Sequence, residues 1–149
     1  MDEAARLLFA LNRVRRELHT ALDGRLVADE VLFPLELTSA QLAILVALST
    51  AHAVSTSDLC ARVAYDPGAM TRMLDRLQAK GMVRRSRSLE DRRVVHVELT
   101  EQGKAGLPRM RKAACEVAGL LLGGFSSAEI RELESYLGRL LSNAQPAPN

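Results

Sequence analysis

Tryptophan is absent from these 149 residues, and only 3% of them are aromatic, three Phe and two Tyr. A core must then be built from aliphatic side chains. Cysteine is nearly absent too: Cys60 and Cys115 are too few for a disulfide framework and suit a reducing compartment. No apolar run approaches the roughly 20 residues that a membrane span needs. The stretch MDEAARLLFALNRVRREL is broken by charge every few residues, unlike a secretory signal. These absences predict a soluble, cytoplasmic protein with no membrane partner. There is no Gly-rich phosphate loop, no nucleophile elbow and no His set near a carboxylate by a known spacing, so an enzyme is the weaker class. His19, His52 and His96 with two scattered cysteines show no ligand spacing, and neither a metal nor a cofactor is expected.

What is present is a folded chain with local charge. The hydrophobic fraction of 48% and the length fit one domain with a real core. The net charge is only +2, yet residues 60–96 hold nine Lys/Arg against four acids. That segment therefore carries +5 and the remainder −3, the distribution a phosphate-binding surface leaves, or equally a solvated basic face.

Helix starts are unusually legible. Leu7, Leu11, Val14, Leu18 and Ala21 or Leu22 recur by three and four, predicting a first helix over 5–22. VLFPLEL with Pro34 reads as a connector. Thr38-x-x-Gln41 is a capping box opening AQLAILVAL, which is apolar on nearly every side and so belongs in the middle of the fold. Ser55-x-x-Asp58 opens a short third helix ending near Val63 or Ala64. Asp66-Pro67 is an N-cap with proline at the first helical position, and that fourth helix stops at Gly81. The period then changes. Met82–Arg85 and Val94–Leu99 read as a hairpin around a polar loop, Ser86 to Arg93. Thr100 caps a fifth helix over 101–123 that Pro108 should kink. Ser126-x-x-Glu129 opens a last helix carrying Ile130, Leu133, Leu137, Leu140 and Leu141, and 144–149 reads as a frayed tail.

The order predicts a mainly α fold with a small β-hairpin wing, residues 38–100 forming a winged helix-turn-helix lobe. The long stripes at 1–30 and 101–143 are hard to bury in a monomer of this size and suggest homodimerisation. In the fourth helix Met70, Met73 or Leu74, and Leu77 form the buried stripe. Gly68, Ala69, Arg72 and Arg76 face the other way, with Thr71 and Asp75 at the margin. Small residues at the first turn let a backbone approach double-stranded DNA, and Arg72 and Arg76 could reach guanine edges or phosphates. The alternative is that both arginines pair with Asp75 or Glu90. In the tip SRSLEDRRV, Arg93 with Arg92 and Arg87 suits the minor groove or backbone. Asp91 is placed to orient Arg93 and hold the tip in shape. A winged helix serving only protein–protein contact remains a third class, separable by the salt dependence of DNA affinity.

The run DPGAMTRMLDRLQAKGMVRR followed by EDRRVV and LTEQG resembles the core of the MarR family of bacterial transcription regulators, closely over residues 38–106. The resemblance implies a homodimer, a recognition helix at 67–80, Arg93 as the wing arginine, and a pseudo-palindromic operator with half-sites roughly 10 bp apart. It implies a repressor more often than an activator. Such regulators commonly answer to small phenolic or aromatic ligands held between the dimerisation helices and the winged lobe. Arg15, His19, Leu45 and His52 are the candidate lining here. A regulator without ligand sensing is the alternative. Sensing through a cysteine near the first helix does not carry over, because the first 59 residues contain none. Cys60 and Cys115 read as small buried hydrophobes, with redox modulation through them as the other reading.

Overall fold

A computed structural model describes residues 2–144. Six helices and a three-stranded sheet follow one another as α1 (Glu3–Val27), a 3-10 turn (Phe33–Leu35), α2 (Ser39–Leu48), β1 (Val54–Ser55), α3 (Thr56–Val63), α4 (Pro67–Ala79), β2 (Val83–Arg87), β3 (Val95–Leu99), α5 (Glu101–Leu121) and α6 (Ser127–Ala144). The chain divides into two compact units, one running to Val117 and one from Ala118 onward.

Each capped start forms as its residues dictate. The Thr38 hydroxyl accepts from the Gln41 N–H, and the Gln41 side chain accepts from the Thr38 N–H, closing the box. Ser55 accepts from Asp58, Asp66 from Ala69, Thr100 from Gly103 and Ser126 from Glu129, each satisfying one orphan donor of a first turn. At the other end of α4, Gly81 adopts φ +70°. There the Met82 N–H donates to Leu77 O and the Gly81 N–H to Gln78 O, a Schellman closure.

The core of the first unit is aliphatic, as the scarcity of aromatics requires. Leu42, Ile44, Leu45 and Leu48 from α2 meet Leu59 of α3, Met70, Leu74 and Leu77 of α4, and Met110 and Ala113 of α5. Val83, Val97 and Leu99 of the sheet join them. The second unit consists of the end of α5 and all of α6, and α6 has no buried residue. In α1 only Leu26 is buried, while Leu7, Leu8, Phe9 and Val14 are more than half exposed.

Three expectations need correction. The sheet has a third strand, β1, which pairs antiparallel with β3 through Val54↔Val97 and Ser55↔His96. Two residues are too few to show a period, so it left no trace in the pattern. Strand β2 runs on to Arg87, with Arg87↔Val95 its last pair, so the loop begins at Ser88. Helix α1 is longer at both ends than 5–22. Helix α5 runs from Glu101 to Leu121 as one helix with Pro108 inside it. Pro108 and Lys104 both lie exposed. Water can reach such an exposed turn, which lowers the cost of the ladder bond that proline removes. The tail residues 145–149 lie outside the described ones.

One carboxylate holds the end of α1 to α5. Asp29, only 6% exposed, accepts from the Val31 and Leu32 N–H groups at 3.0 Å each and from Arg109 Nε at 2.8 Å. Arg25 bridges it to Glu116. Burial pushes the Asp29 carboxyl up. The N–H donors of Leu32 and Val31 and the Arg109 guanidinium outweigh burial and hold it below its ordinary range. A depressed carboxylate stabilises the fold above its unfolded pKa of about 3.9, and that contribution vanishes as pH falls through the folded value. Asp29→Asn should lower Tm at neutral pH, and Tm should then fall less steeply on acidification below about pH 4 than in the wild type. Parallel thermal melts across pH check this. A second constraint is steric. A Cβ on Gly103 would stand 2.2 Å from the Met82 carbonyl oxygen. Gly103→Ala should therefore destabilise by about 1–3 kcal/mol, read by denaturant unfolding, because backbone is the obstacle and cannot rotate away.

Candidate nucleic-acid interface

The helix-turn-helix is built by α3 and α4 with a tight turn between them. Ala64 takes the left-handed conformation at φ 54°, and the Tyr65 N–H closes back on Cys60 O. Asp66 then caps α4. Met70, Leu74 and Leu77, spaced by four and three, are at most 1% exposed and seat α4 on the core. Met73 is half-buried, so Leu74 is the stripe member of that pair. Gly68, Thr71, Arg72, Asp75 and Arg76 are exposed, and Ala69 is half-buried. The Thr71 hydroxyl donates to Pro67 O at 2.9 Å. Asp66 Oδ1 already accepts from the Ala69 N–H at 2.9 Å, so one donor of this helix N-terminus is spent within the chain.

The hairpin tip is held from within. Ser88 Oγ accepts from the Glu90 and Asp91 N–H groups, and the Ser88 N–H donates to Val94 O. Asp91 Oδ1 accepts from the Arg93 backbone N–H at 2.9 Å. The bond that Asp91 makes is thus to the Arg93 backbone. Leu89 stands fully exposed at the turn.

The arginines sort into two sets. Arg84 donates to Glu98 at 2.7 Å across the β2–β3 pair, and Arg85 donates to Asp75 at 2.5 Å and to Gln78 at 2.8 Å on α4. The Arg84 hydrogen bond lowers the Glu98 pKa, and the Arg84 pKa rises for the same reason. Arg72, Arg76, Arg87, Arg92 and Arg93 are exposed, and none forms a salt bridge among the described residues. The alternative pairing of Arg72 or Arg76 with Asp75 is thereby displaced: Asp75 is taken by Arg85. Sequence reasoning missed Arg85, which the strand alternation places on the buried side. Between α3, α4 and the hairpin lies an open recess of about 330 Å³ bordered by Ser57, Thr71, Arg85 and Arg93.

The candidate ligand residues do not converge. Arg15 and His19 line a recess of about 600 Å³ along α1, with Arg13, Arg16, Asp23 and Tyr65. His19 Nδ1 shares a 2.7 Å hydrogen bond with Ser39 Oγ, while the Ser39 N–H donates to Asp23 at 2.6 Å. Leu45 is fully buried in the core, and His52 borders a separate recess of about 310 Å³ beside Glu98 and Lys104. Leu45 is thus closed off from solvent within its own chain. Both cysteines are free thiols; Cys60 is half-buried, but Cys115 is exposed on α5 instead of packed. Among the described residues no group of three or more His, Cys, Asp or Glu side chains is placed to hold a metal ion, and no helix is long and apolar enough to cross a membrane.

The MarR family model matches residues 37–95. The multiple antibiotic resistance protein MarR of Escherichia coli is 42% identical over 122 residues, which cover 76% of this chain and 79% of that protein. A Bacillus subtilis HTH-type regulator, YdgJ, is 36% identical over 72% of this chain, and the match spans 65% of its length, just under two thirds. Among solved structures, a cysteine-to-serine mutant of E. coli MarR complexed with operator DNA superposes with a TM-score of 0.80 at 29% identity, covering 93% of this chain and 96% of that one. Bordetella bronchiseptica BpsR, whose DNA binding is regulated by 6-hydroxynicotinic acid, superposes with a TM-score of 0.80 at 27% identity over 97% and 99% of the two chains. The capped helix-turn-helix, the arginine-tipped hairpin behind it and these likenesses together make this chain a member of the MarR family, a DNA-binding winged-helix transcriptional regulator and not an enzyme.

Proposed function

We propose that this regulator is a repressor that binds a pseudo-palindromic operator as a homodimer. Helix α4 would enter the major groove with Gly68, Ala69, Thr71, Arg72 and Arg76. The hairpin would lay Arg93, supported by Arg92 and Arg87, into the flanking minor groove or along the backbone. The observation that carries this reading is the sorting of the arginines: five exposed guanidinium groups on α4 and the hairpin have no carboxylate partner among the described residues, while two nearby ones are spent on internal pairs. Unpaired cations there are available to displace counterions from phosphate. That the similar E. coli protein is complexed with operator DNA supports DNA as the partner.

Dimerisation rests on a different observation. Leu133, Tyr136, Leu137, Leu140 and Leu141 on α6, and Leu7, Leu8 and Val14 on α1, are between 37% and 69% exposed. Apolar stripes of that length in a DNA-binding protein need cover, and a second copy supplies it with the two-fold symmetry a palindrome demands. A small aromatic or phenolic acid is the proposed effector. The recess lined by Arg15 and His19 offers cations to a carboxylate, and the Bordetella relative answers to such an acid. Release would follow if the ligand favours a dimer whose α4 helices no longer match the half-site spacing.

Binding is testable by fluorescence anisotropy on DNA from upstream of the protein's own gene and on scrambled DNA at several salt concentrations. Arg72→Ala should lose about 1–3 kcal/mol on the operator and relax preference at one position. Arg93→Ala should weaken binding without changing subunit association; unaltered affinity would remove the hairpin from the interface. Leu137→Asp should convert the dimer to a monomer in sedimentation, with operator affinity falling at least as far as the loss of one half-site requires. A variant that remains dimeric would place the interface elsewhere.

A further inference from the structure

Arg85 occupies an odd place. Directly opposite residues on antiparallel strands share a face, and Arg85 stands opposite Val97, which is fully buried. An apolar side chain is the expected occupant. The guanidinium instead crosses to α4, where Nη2 donates to Asp75 Oδ1 at 2.5 Å and Nε to Gln78 Oε1 at 2.8 Å. Asp75 and Gln78 are three apart, so they form one patch on the helix. A planar fork that serves two acceptors at once fixes both distance and rotation between strand and helix.

Stability is a poor explanation for this arrangement. The Arg85 side chain is 28% exposed and that of Asp75 56%, and ion pairs so open to solvent stabilise a fold little. The consequence for the exposed arginines is larger. Asp75 sits three residues after Arg72, a spacing at which helical side chains pair. With Asp75 engaged by Arg85, Arg72 is left uncommitted, and no salt bridge claims it among the described residues. The same fork ties the strand leading into the arginine-bearing tip directly to the helix.

We infer that Arg85 is a positioning residue for DNA reading. It clamps the hairpin to α4 and withdraws Asp75 from Arg72, so that helix and wing meet DNA as one rigid head. The inference rests on the reading of α4 and the hairpin as the DNA-facing elements.

The clamp and a simple charge effect predict opposite signs for one substitution. Asp75→Asn removes a negative charge from the DNA-facing helix, which by electrostatics alone tightens binding to any DNA. The clamp predicts that it weakens specific binding. The test uses a duplex enriched from random DNA by the wild-type protein, and a scrambled duplex of the same composition, with affinities measured over a range of salt. Asp75→Asn and Arg85→Met should each lower the ratio of selected to scrambled affinity by about tenfold. The double variant should lose no more than either alone, as expected for two residues acting through one contact. Arg85→Lys should resemble Arg85→Met, because an ammonium on a flexible stem lacks the planar fork that fixes the rotation between strand and helix. Binding to scrambled DNA near the wild-type value shows in each case that the variants are folded. Tighter binding of Asp75→Asn to both duplexes would overturn the clamp, especially if Arg85→Met lost affinity on both together with about one unit of salt slope, which marks a phosphate contact. Arg72→Ala serves as the reference. If it lowers the ratio while Asp75→Asn and Arg85→Met do not, α4 reads DNA and the clamp is wrong; if Arg72→Ala leaves the ratio unchanged, Arg72 reads no base and freeing it from Asp75 cannot serve reading, which overturns the inference.

Discussion

The fold is organised around one backbone crossing, where the end of α4 meets the start of α5. The Thr100 N–H donates to Met82 O, the Thr100 hydroxyl donates to Gly81 O and accepts from the Gly103 N–H, and Gly103 lies against the Met82 carbonyl with no room for a Cβ. Lys80 adds a third strand of chain: its ammonium donates to Leu35 O and Glu36 O in the connector before α2. Glycine at 103 is required by proximity and glycine at 81 by its left-handed φ. Both elements proposed to face DNA are positioned from this junction, because α4 ends at it and both hairpin strands begin or end beside it.

Charge in this protein is allocated by neighbours more than by residue type. Nine cations between residues 60 and 96 look alike in the sequence. The structure pairs Arg84 with Glu98 and Arg85 with Asp75, sends Arg62 to the Thr50 hydroxyl and Lys80 to backbone carbonyls, and leaves five exposed arginines on α4 and the hairpin without a salt bridge among the described residues. A net charge of +2 therefore understates the field at the interface, and the nine cations overstate the number of groups available to make it.

Capping boxes, the glycine stop and the α4 stripe were legible because each is decided within about four residues, and the proposed DNA-facing set of Gly68, Thr71, Arg72 and Arg76 followed from them. What was illegible depends on partners far along the chain. Strand β1 exists because β3 offers a free edge to Val54 and Ser55, and two residues carry no period of their own. Ala64 supplies a left-handed turn with no glycine to announce it. Leu45 and His52 were grouped with His19 by their places on helices, yet burial of one and a different recess for the other separate them. The role of Arg85 was hidden for the same reason: its partners sit seven and ten residues earlier, across the turn.

Helix α4 is fastened along its whole length. Asp66 holds its first turn, Met70, Leu74 and Leu77 its inner face, Arg85 its outer flank, and the Schellman closure with Lys80 its end. A helix held at every turn loses little conformational entropy on docking, which favours specificity over adaptable contact. It also limits how such a protein can be switched. Reshaping α4 would break several of these fastenings together, whereas moving the whole head breaks none of them. Under the proposed dimer, the exposed apolar residues of α1 and of α6 would face the second copy, so they are where two geometries could differ by little free energy. An effector acting there would change the spacing of two rigid heads and leave the chemistry of each head intact.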